Sequence, residues 1–546
     1  MDWGAKRARE ALKTGPRHAR GRAMASLLEA PAVAVALPAQ PAEADAIDAA
    51  FARAALERNA RATPGLNQSV LRFTTLSNDA PRRGFVVERE GSMGRGPSND
   101  ISVASDATLA EATHGVFVRD DQGVLLLEPR NGVVGIRCST NEATDWPLRT
   151  GCEFSCGASV FAVTACEAAL TIYGREGPLR GHSLEIRDAL TLGRAASCDC
   201  PIDDRELSRQ HAKIQRRNGV YYLVDLKSTN GTYMRSIGPY AGAHKLRLGD
   251  RVLLGRTGLE LCRFDWGVCS LKGSRKTMED RTRIVHDLCC TNLPKDLQPV
   301  FFAAVYDGHG GAECAQFLQE ELHGFVGRAL DAHGADDEAS VTAALKDACL
   351  TCDAAFLATK PGTRVGSTAC MLLIFGQKLM SCANVGDSRC CLATSSECVP
   401  LSEDQTPARE DEAARIRNAG GFVIHKRVMG ELAVSRAFGD AELKKPVHEL
   451  VRPAEPAPDE VGPRLVLAEP EVRHTRVAGD FVLIACDGVF DVFSSPEAVD
   501  AVKKALAEGQ GDPVRAASVL CTSAVDDRGS RDNATAVVVA LRSKAG

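Results

Sequence analysis

Four aspartates lie at the ends of apolar runs that are typical of buried strands. They are Asp307 after residues 300–306, Asp387 after 379–385, Asp487 after 481–486 and Asp532 before 534–540. Carboxylates that gather without cationic partners repel one another, and a hard divalent cation offsets this cost. Ligation by oxygen alone suits Mg²⁺ or Mn²⁺ better than zinc. Two such ions about 4 Å apart can orient and deprotonate a water for in-line attack on phosphorus. A single aspartate after a strand is usually part of a turn, but four in one domain favour a metal site.

Strands alternate with helices from residue 266 onward, which predicts a mixed α/β domain over 266–546. One helix is predicted to begin with Ser495 as N-cap and Pro496 at its first position, and to end at Gly509. Asp512 and Pro513 predict the start of another. Residues 441–464 contain five prolines and are predicted to be a loop inserted in the domain.

A set of turn residues recurs within the part of the chain that precedes this domain. Gly94-Arg95, His114 and Asn131-Gly132 are repeated as Gly193-Arg194, His211 and Asn230-Gly231. Short apolar runs punctuated by Asn-Gly and Gly-Asp turns surround both sets, which is an all-β pattern. We therefore predict two tandem β domains at 83–166 and 170–262, which we call the first and second copy. Residues 1–82 are predicted to be a mostly disordered tail with a short helix within 42–62.

Composition excludes several classes of protein. The 546 residues suggest three or four domains, and 44% hydrophobic with 25% charged residues is ordinary for a soluble globular protein. No apolar run approaches the ~18 residues of a membrane span. With 66 basic and 71 acidic residues, nothing favours nucleic-acid binding. Most of the twenty cysteines lie in apolar runs, so we expect free thiols in a reducing compartment, the cytoplasm or nucleus.

The second copy resembles the forkhead-associated (FHA) family, a β-sandwich that binds phosphothreonine peptides through loops at one end. The resemblance lies in residues 192–194, 207–211 and 227–232. A phosphate dianion favours the fork of an arginine together with short hydroxyl donors. By resemblance, Arg194 and Ser208 hold the phosphate, Arg209 and Thr229 lie nearby, and Asn230 binds the peptide backbone. The alternative is a surface arginine and an ordinary Asn-Gly hairpin turn.

The first copy departs from this pattern. It keeps Gly94, Arg95, His114 and Asn131-Gly132, but Glu111 stands where the phosphate-binding serine is expected. Because a carboxylate there would repel phosphate, this copy is interpreted as a degenerate FHA-like sandwich that is structural or docks within the chain.

The C-terminal domain resembles the PPM/PP2C family of protein serine/threonine phosphatases over essentially all of 266–542. The motifs that carry the resemblance are residues 273–280, 307–311, 366–368, 385–389, 433–440 and 487–488. The family fold is an α/β/β/α sandwich of two antiparallel sheets with flanking helices. The resemblance thus implies a multidomain chain: two all-β FHA-like sandwiches followed by an α/β/β/α PP2C-like sandwich.

The same resemblance implies roles for individual residues. The implied metal ligands are Asp307, the Gly308 carbonyl, Asp487 and Asp532, with Asp387, Asp487 and Asp491 around a weaker third ion. Glu279 and Asp280 would hold metal-bound waters, Arg275 the substrate phosphate, and His309 would act as general acid for the leaving serine or threonine. The alternative for His309 is a turn residue.

Two departures from the family pattern are expected to alter substrate contacts and to leave the enzyme active. Residues 404–407 replace a His-Lys pair that is common in the family, and Met429 replaces a usual asparagine. The expected function is hydrolysis of phosphoserine and phosphothreonine in proteins with Mg²⁺ or Mn²⁺, the second copy recruiting phosphothreonine partners. A catalytically inactive phosphoprotein-binding scaffold is the alternative, disfavoured because every implied metal carboxylate is present.

Overall fold

The computed structural model describes residues 49–50, 69–73, 85–87, 90–104, 106–119, 125–138, 146–166, 169–246, 248, 250–288, 290–445 and 464–541. Most of the predicted N-terminal tail, including the short helix predicted within 42–62 except for its helical residues 49 and 50, and residues 446–463 of the predicted insertion lie outside this part of the chain. The chain forms two compact units, with Arg89–Glu260 in the first and Leu261–Gly546 in the second. None of the helices in the described ranges has both the length and the apolar character needed to cross a lipid bilayer.

The strands up to residue 262 are short, as the all-β pattern predicts. They are β1 (Ser69–Phe73), β2 (Phe85–Val87), β3 (Glu90–Gly94), β4 (Ile101–Ser102), β5 (Gly115–Arg119), β6 (Leu125–Pro129), β7 (Val134–Arg137), β8 (Pro147–Leu148), β9 (Glu153–Cys156), β10 (Ser159–Cys166), β11 (Leu170–Glu176), β12 (Ser183–Ile186), β13 (Ala189–Gly193), β14 (Cys200–Pro201), β15 (Ala212–Arg217), β16 (Val220–Asp225), β17 (Thr232–Arg235), β18 (His244–Lys245), β19 (Arg251–Leu254) and β20 (Thr257–Cys262). A 3₁₀ turn, Gly238–Tyr240, follows β17.

The two copies exchange strands. The sheet β14-β13-β15-β16 of the second copy is completed by β8 of the first, whereas β4-β3-β5-β6 of the first copy is completed by β18 of the second. The exchange continues in the larger sheet, where β9 pairs with β17 and β19 pairs with β7. Strands β7 and β17 also pair with each other, with Met234 opposite Ile136 at the centre. The sheet that carries the second copy's motifs is therefore completed by strands encoded before residue 170.

The second unit includes β1 and β2 and, from residue 261 onward, strands and helices in alternation. The strands of this later part are β21 (Asp265–Leu271), β22 (Arg281–Val285), β23 (Val300–Tyr306), β24 (Gly308–His309), β25 (Gly366–Ser367), β26 (Ala369–Phe375), β27 (Leu379–Val385), β28 (Arg389–Ala393), β29 (Cys398–Pro400), β30 (Val423–Ile424), β31 (Arg427–Val428), β32 (Phe438–Gly439), β33 (Glu471–Arg476), β34 (Phe481–Ala485) and β35 (Ala534–Ala540). Its α-helices are α1 (Glu313–His333), α2 (Glu338–Thr359), α3 (Glu410–Asn418), α4 (Asp487–Phe490), α5 (Ser495–Glu508) and α6 (Pro513–Thr522). Short 3₁₀ turns cover Lys295–Leu297 and Ala441–Lys444, and a π turn covers Ser523–Asp527.

Two five-stranded antiparallel sheets lie face to face with helices outside them. One has the order β22-β23-β26-β27-β33 and the other β21-β35-β34-β28-β29. Alternate residues of β23 show the layers: Phe301, Ala303 and Val305 pack against β34 and β35 in the core between the sheets. The intervening residues, such as Phe302 and Tyr306, pack against α1 and α2. Because successive side chains of a strand point to opposite faces, one strand serves both cores.

Helices α5 and α6 cover the outer face of the other sheet. The predicted N-cap of α5 is wrong by one residue, because Ser494, and not Ser495, is the N-cap. Glu497 stands three residues after Ser494, and its carboxylate accepts from the Ser494 backbone N–H at 2.9 Å, so a capping box selects the earlier serine. The N-cap of α6 is Asp512, whose side chain accepts from the Val514 N–H as predicted.

A third, small sheet joins distant parts of the second unit. Its strands β24, β25 and β32 each contain two residues, and β25 lies between the other two. This sheet places His309, Gly366 and Gly439 side by side next to the ends of the main strands.

Candidate functional site

A cleft of about 470 Å³ opens at the ends of the central strands of the second unit. Nearly all of the residues assigned to the phosphatase site from the sequence line it: Arg275, Glu279, Asp307, Gly308, His309, Asp387, Asp487, Asp491 and Asp532. The remaining one, Asp280, is buried beneath the surface of the cleft. The structure thus brings together carboxylates that are up to 253 residues apart in the chain (279 to 532).

Each aspartate is held by the element that it adjoins. Asp307 follows β23, and its backbone is fixed by Thr368, whose N–H donates to the Asp307 carbonyl at 2.9 Å. The Thr368 hydroxyl in turn accepts from the Asp307 N–H at 3.2 Å. Asp487 begins α4 directly after β34, and Asp532 precedes β35.

Burial and mutual repulsion raise the pKa values of these carboxyl groups. The pKa of Asp307 and that of Asp387 are well above the ordinary range, chiefly because of desolvation and then because of the charge of Asp487. Desolvation also raises the pKa of Asp487 to about 6 and, to a smaller extent, that of Asp491. Without a counter-charge, ionisation of this cluster at neutral pH is costly.

Asp280 tests whether the cluster suits a cation. It is 3% exposed, and neither of its carboxylate oxygens has a hydrogen-bond partner within the described part of the chain. One carboxylate oxygen of Asp280, one of Asp307 and the sulfur of Cys486 lie within 4.8 Å of one another. Burial raises the pKa of Cys486 well above its usual value, so this thiol stays protonated. The donors that remain are hard oxygens, which fit a divalent cation such as Mg²⁺ or Mn²⁺.

The loop over residues 272–279 forms one side of the cleft. The Arg275 guanidinium pairs with the Asp532 carboxylate, and its side chain is 59% exposed at the rim. Asn533 holds the loop: its amide donates to the carbonyls of Lys272 and Thr277 at 2.8 and 3.0 Å, and its Oδ1 accepts from the Glu279 N–H at 2.8 Å. One ordered loop therefore presents the Arg275 guanidinium at the rim and the Glu279 carboxylate in the cleft.

His309 lies on β24 with Nε2 2.8 Å from Oδ2 of Asp440. Asp440 is 5% exposed and has a φ of 47°, which is in the left-handed region that a non-glycine residue seldom adopts. Gly366 on the middle strand lies against this contact, and a Cβ there would overlap both Oδ2 of Asp440 and Nε2 of His309. The three-stranded sheet thus holds the imidazole in one orientation, with a glycine providing the space.

A second cleft, of about 570 Å³, lies on the second copy. Its lining contains four of the five predicted phosphopeptide residues, and the full set is Arg194, Ala195, Ser197, Ser208, Arg209, Gln210 and Thr229. None of these residues is acidic, and two are arginines. Asn230, the fifth predicted residue, lies next to Thr229, and its amide donates to the Glu206 carbonyl at 2.8 Å.

Buried hydrogen bonds order the loops around this cleft. Nδ1 of His211 accepts from the Ser208 N–H at 3.0 Å, and Nε2 lies 3.0 Å from the Gly231 carbonyl. Because a carbonyl can only accept, Nε2 carries the proton. Desolvation lowers the pKa of His211, which keeps the ring neutral in this role. Ser208 Oγ accepts from the Thr229 N–H at 3.0 Å, so the two hydroxyl-bearing loops are joined at the cleft.

The first copy repeats the histidine arrangement but not the cleft chemistry. Nδ1 of His114 accepts from the Ala110 N–H at 3.0 Å, and Nε2 contacts the Val133 carbonyl at 3.2 Å. Arg95, the counterpart of Arg194, pairs instead with Glu111 at 3.3 Å. A carboxylate of the chain itself therefore takes the position next to this arginine.

Comparison with known proteins gives matches to both units. The family description "Protein phosphatase 2C" matches residues 264–534, and "FHA domain" matches 190–255. The chain is 37% identical over 291 residues to Probable protein phosphatase 2C 11 of Arabidopsis thaliana, which covers 52% of this chain and 68% of that protein. The chain belongs to the protein phosphatase 2C family.

Two further similar proteins each cover about half of this chain. Protein phosphatase 2C homolog 3 of Schizosaccharomyces pombe is 35% identical over 287 residues, or 50% of this chain and 64% of that protein. A solved structure of a C. elegans sex determining protein is similar over 51% of this chain and 65% of that one, with 29% identity and a TM-score of 0.42. As a member of the PP2C family with an FHA domain, the chain is a protein serine/threonine phosphatase.

Several residues of this PP2C site were not singled out in the sequence. Asn533, Thr368 and Asp440 act through hydrogen bonds to site residues, and Arg427 lines the cleft from β31. Thr368 and Asp440 lie inside motifs that the sequence analysis quoted. Their position in a motif is the signal that could have found them, although it says nothing of their partners.

Neither family departure lines the PP2C cleft, but the charge of Asp404 in the first of them adds to the raised pKa values of Asp387 and Asp491. Gln405 is fully buried, where its side chain accepts from the Gly386 N–H at 2.8 Å and donates to the Asn384 carbonyl at 3.0 Å. Met429 has a φ of 51° and packs beside the small core of Val428 and Leu432 near α3. Neither replacement removes a side chain that lines the floor of the PP2C cleft.

Proposed function

We propose that this chain hydrolyses phosphoserine and phosphothreonine in proteins with two divalent cations, Mg²⁺ or Mn²⁺. We also propose that its FHA domain brings it to phosphothreonine-bearing partners. The observation that carries the proposal is the convergence of Asp307, Asp387, Asp487 and Asp532 with Arg275 on a single cleft. Carboxylates with raised pKa values beside an exposed guanidinium suit a bound cation and a phosphate monoester.

The cleft offers a place for each cation. Asp307, the Gly308 carbonyl, Asp487 and Asp532 would hold the two ions, and Glu279 and Asp280 would hold their waters. Asp387 and Asp491 lie where a third, weaker ion could bind beside Asp487. When bound, the cations supply charge neutralisation and an activated water.

Two side chains would act on the substrate itself. Arg275 at the rim has a forked guanidinium that can bind two phosphate oxygens and orient the ester. His309, oriented by Asp440, is placed to give a proton to the oxygen of the leaving serine or threonine. No cysteine is required as nucleophile, since hydrolysis by water is direct.

The second cleft supports the recruitment role. Arg194 and Arg209 give it a positive charge, and Ser208 and Thr229 supply hydroxyl groups for phosphate oxygens. Asn230, next to these hydroxyls, would bind the peptide backbone. A partner held there raises the concentration of its other phosphorylated sites near the phosphatase unit. We also propose that the first unit consists of two FHA-type sandwiches, of which the first is degenerate.

We further propose that the protein is located in a reducing compartment, the cytoplasm or nucleus. The nineteen cysteines of the described residues have free thiols, and all but Cys269 and Cys398 are buried. Free, buried thiols without disulfides are usual in such compartments.

The test is metal-dependent turnover of a phosphothreonine peptide by the full chain. We expect hydrolysis with Mn²⁺ that EDTA stops and that Asp487→Asn lowers at least about a hundredfold. Asp526→Asn, a change of the same kind at an exposed position, is the control and should leave the rate unchanged. Binding of the phosphopeptide without turnover in the unmodified chain would favour the scaffold instead.

A further inference from the structure

The loop that carries Thr229 and Asn230 is built around one buried carboxylate. Asp225 is fully buried, and its Oδ1 accepts from the hydroxyls of Ser228 at 2.5 Å and Thr232 at 3.1 Å. Ser228 Oγ accepts in turn from the Gly231 N–H at 3.0 Å. We call residues 225–232 the Asp225 loop. Its conformation decides where the hydroxyl of Thr229 lies relative to Arg194.

The cation that faces this loop comes from the first copy. Arg137, the last residue of β7, donates from Nη2 to the Ser228 carbonyl at 2.7 Å and lies 3.4 Å from Oδ2 of Asp225. Its side chain is only 16% exposed. Gly231, with a φ of 87°, leaves room for it, since a Cβ there would lie 2.8 Å from Nε of Arg137. A charged donor to a buried carboxylate contributes more than a neutral hydrogen bond.

The strand exchange gives Arg137 this position. Strand β7 pairs with β17, and Arg137 lies opposite Tyr233 directly after the Asp225 loop. The exchange also brings the turn between β9 and β10 to the other binding loop. There the Ala158 N–H donates to Asp204 Oδ2 at 2.9 Å, two residues before Glu206, whose carbonyl binds Asn230. Two loops of the second cleft are thus supported by residues encoded in the first copy.

We propose that the first copy is a working part of the phosphothreonine site, and that Arg137 is the positioning residue through which it acts. Arg137 fixes the Ser228 carbonyl and neutralises Asp225, and so holds Thr229 in hydrogen-bond contact with Ser208. The proposal rests on phosphothreonine binding by the second cleft. It gives the first copy a role that does not require phosphate binding by Arg95, which pairs with Glu111.

The chain offers a matched control at the equivalent position of the other copy. Arg235 is the last residue of β17 as Arg137 is of β7, and its side chain is 22% exposed. Its guanidinium lies 3.5 Å from Glu153, and it lines neither cleft. Arg137→Gln and Arg235→Gln therefore remove the same charge from the same strand position, but only the first contacts the Asp225 loop.

The experiment measures binding of a phosphothreonine peptide, chosen from a peptide library, to the full chain by fluorescence anisotropy. We expect Arg137→Gln to weaken binding about tenfold, Arg137→Lys to recover part of the loss, and Arg235→Gln to bind as the unmodified chain. The loss caused by Arg137→Gln should shrink when Ser208 is already alanine, because both changes act on one contact. Thermal unfolding and p-nitrophenyl phosphate turnover of each variant report whether the fold is intact.

Each outcome decides something. Equal affinity for Arg137→Gln and the unmodified chain, or equal losses for Arg137→Gln and Arg235→Gln, would overturn the proposal. If Arg137→Gln unfolds the first unit, Arg137→Lys replaces it in the test. Unchanged binding by Arg137→Lys, with binding losses that simply add when it is combined with Ser208→Ala, then overturns the positioning role. Failure of the unmodified chain to bind, or binding that survives Arg194→Ala, would count against the phosphothreonine site itself.

Discussion

Nε2 of His309 lies 2.8 Å from Oδ2 of Asp440, although 131 residues separate them in the chain. Both belong to the small sheet of β24, β25 and β32, and Gly366 on the middle strand leaves space for the contact. A carboxylate that hydrogen-bonds to one ring nitrogen of an imidazole fixes the ring's orientation and so the direction in which its other nitrogen can give a proton. Asp440 is therefore a positioning residue for His309.

This relationship predicts a loss that depends on the leaving group. Asp440→Asn should lower kcat for a phosphothreonine peptide about tenfold or more, because an alkoxide must be protonated as it leaves. For p-nitrophenyl phosphate, whose phenolate leaves without a proton, the loss should be small. Steady-state kinetics on both substrates measure the difference, and His309→Ala should show the same selectivity. Equal losses on the two substrates would mean that Asp440 only supports the fold.

The carboxylate cluster predicts how stability depends on pH in the absence of metal. Burial raises the pKa of Asp487 to about 6, so between pH ~4 and ~6 the folded protein binds more protons at this site than the unfolded chain. The contribution of Asp487 to stability therefore falls as pH rises through this window. An increase from 3.8 to about 6 corresponds to roughly 3 kcal/mol at neutral pH.

Asp487→Asn should accordingly be more stable than the unmodified chain in EDTA at pH 7.5, and the difference should vanish near pH 4. Excess Mg²⁺ should reverse the order at pH 7.5, because the metal stabilises only the chain that binds it. Differential scanning calorimetry of the phosphatase unit measures both effects. Greater stability of the unmodified chain in EDTA at pH 7.5 would contradict the prediction.

The two counterpart arginines predict opposite results in phosphopeptide capture. Arg194→Ala should abolish capture on phosphothreonine beads, because Arg194 lines an open cleft without acidic residues. Arg95→Ala should have no effect, since Arg95 already pairs with Glu111. The measurement is a pull-down with phosphorylated and unphosphorylated beads. Loss of capture by both variants would show that the first copy also binds phosphate.

The strand exchange predicts which fragment of the first unit folds. Residues 146–241 contain β8 to β17 in one stretch, including the strands that complete the second copy's sheets. This fragment should fold and bind phosphopeptide, although more weakly than the full chain because it lacks Arg137. Residues 170–262 lack β8, β9 and β10 and should not give dispersed amide signals in a ¹H–¹⁵N spectrum. A well-folded 170–262 fragment would argue against the exchange.

The sequence was sufficient to predict that the four aspartates proposed as metal ligands line one cleft. Each of these aspartates adjoins a strand whose continuous apolar character marks it as buried. Buried strands pack side by side or face to face, so the residues at their ends come close together. The contact of His309 with Asp440 could not be predicted in this way. It depends on strands of two residues, which are too short to show any periodicity.

The strand exchange between the copies also could not be predicted from the sequence. Both copies have the same order of strands and turns, so β8 satisfies the apolar pattern equally well beside β6 or beside β16. No residue pattern in the sequence distinguishes these two pairings. The boundaries at 83–166 and 170–262 stay predictions based on the repeated motifs. The sheets divide the chain differently, because β8 joins the sheet of the second copy and β18 that of the first.

The two-faced packing of β23 has a consequence for insertions and deletions. Phe301, Ala303 and Val305 face one core, and Phe302 and Tyr306 the other. Adding or removing one amino acid anywhere in 300–306 would turn every following side chain over, exchanging small residues for aromatic ones in both layers. The carboxylate of Asp307 would then point away from the other carboxylates, so an in-frame insertion or deletion of one codon would inactivate the hydrolase even if the sheet survived.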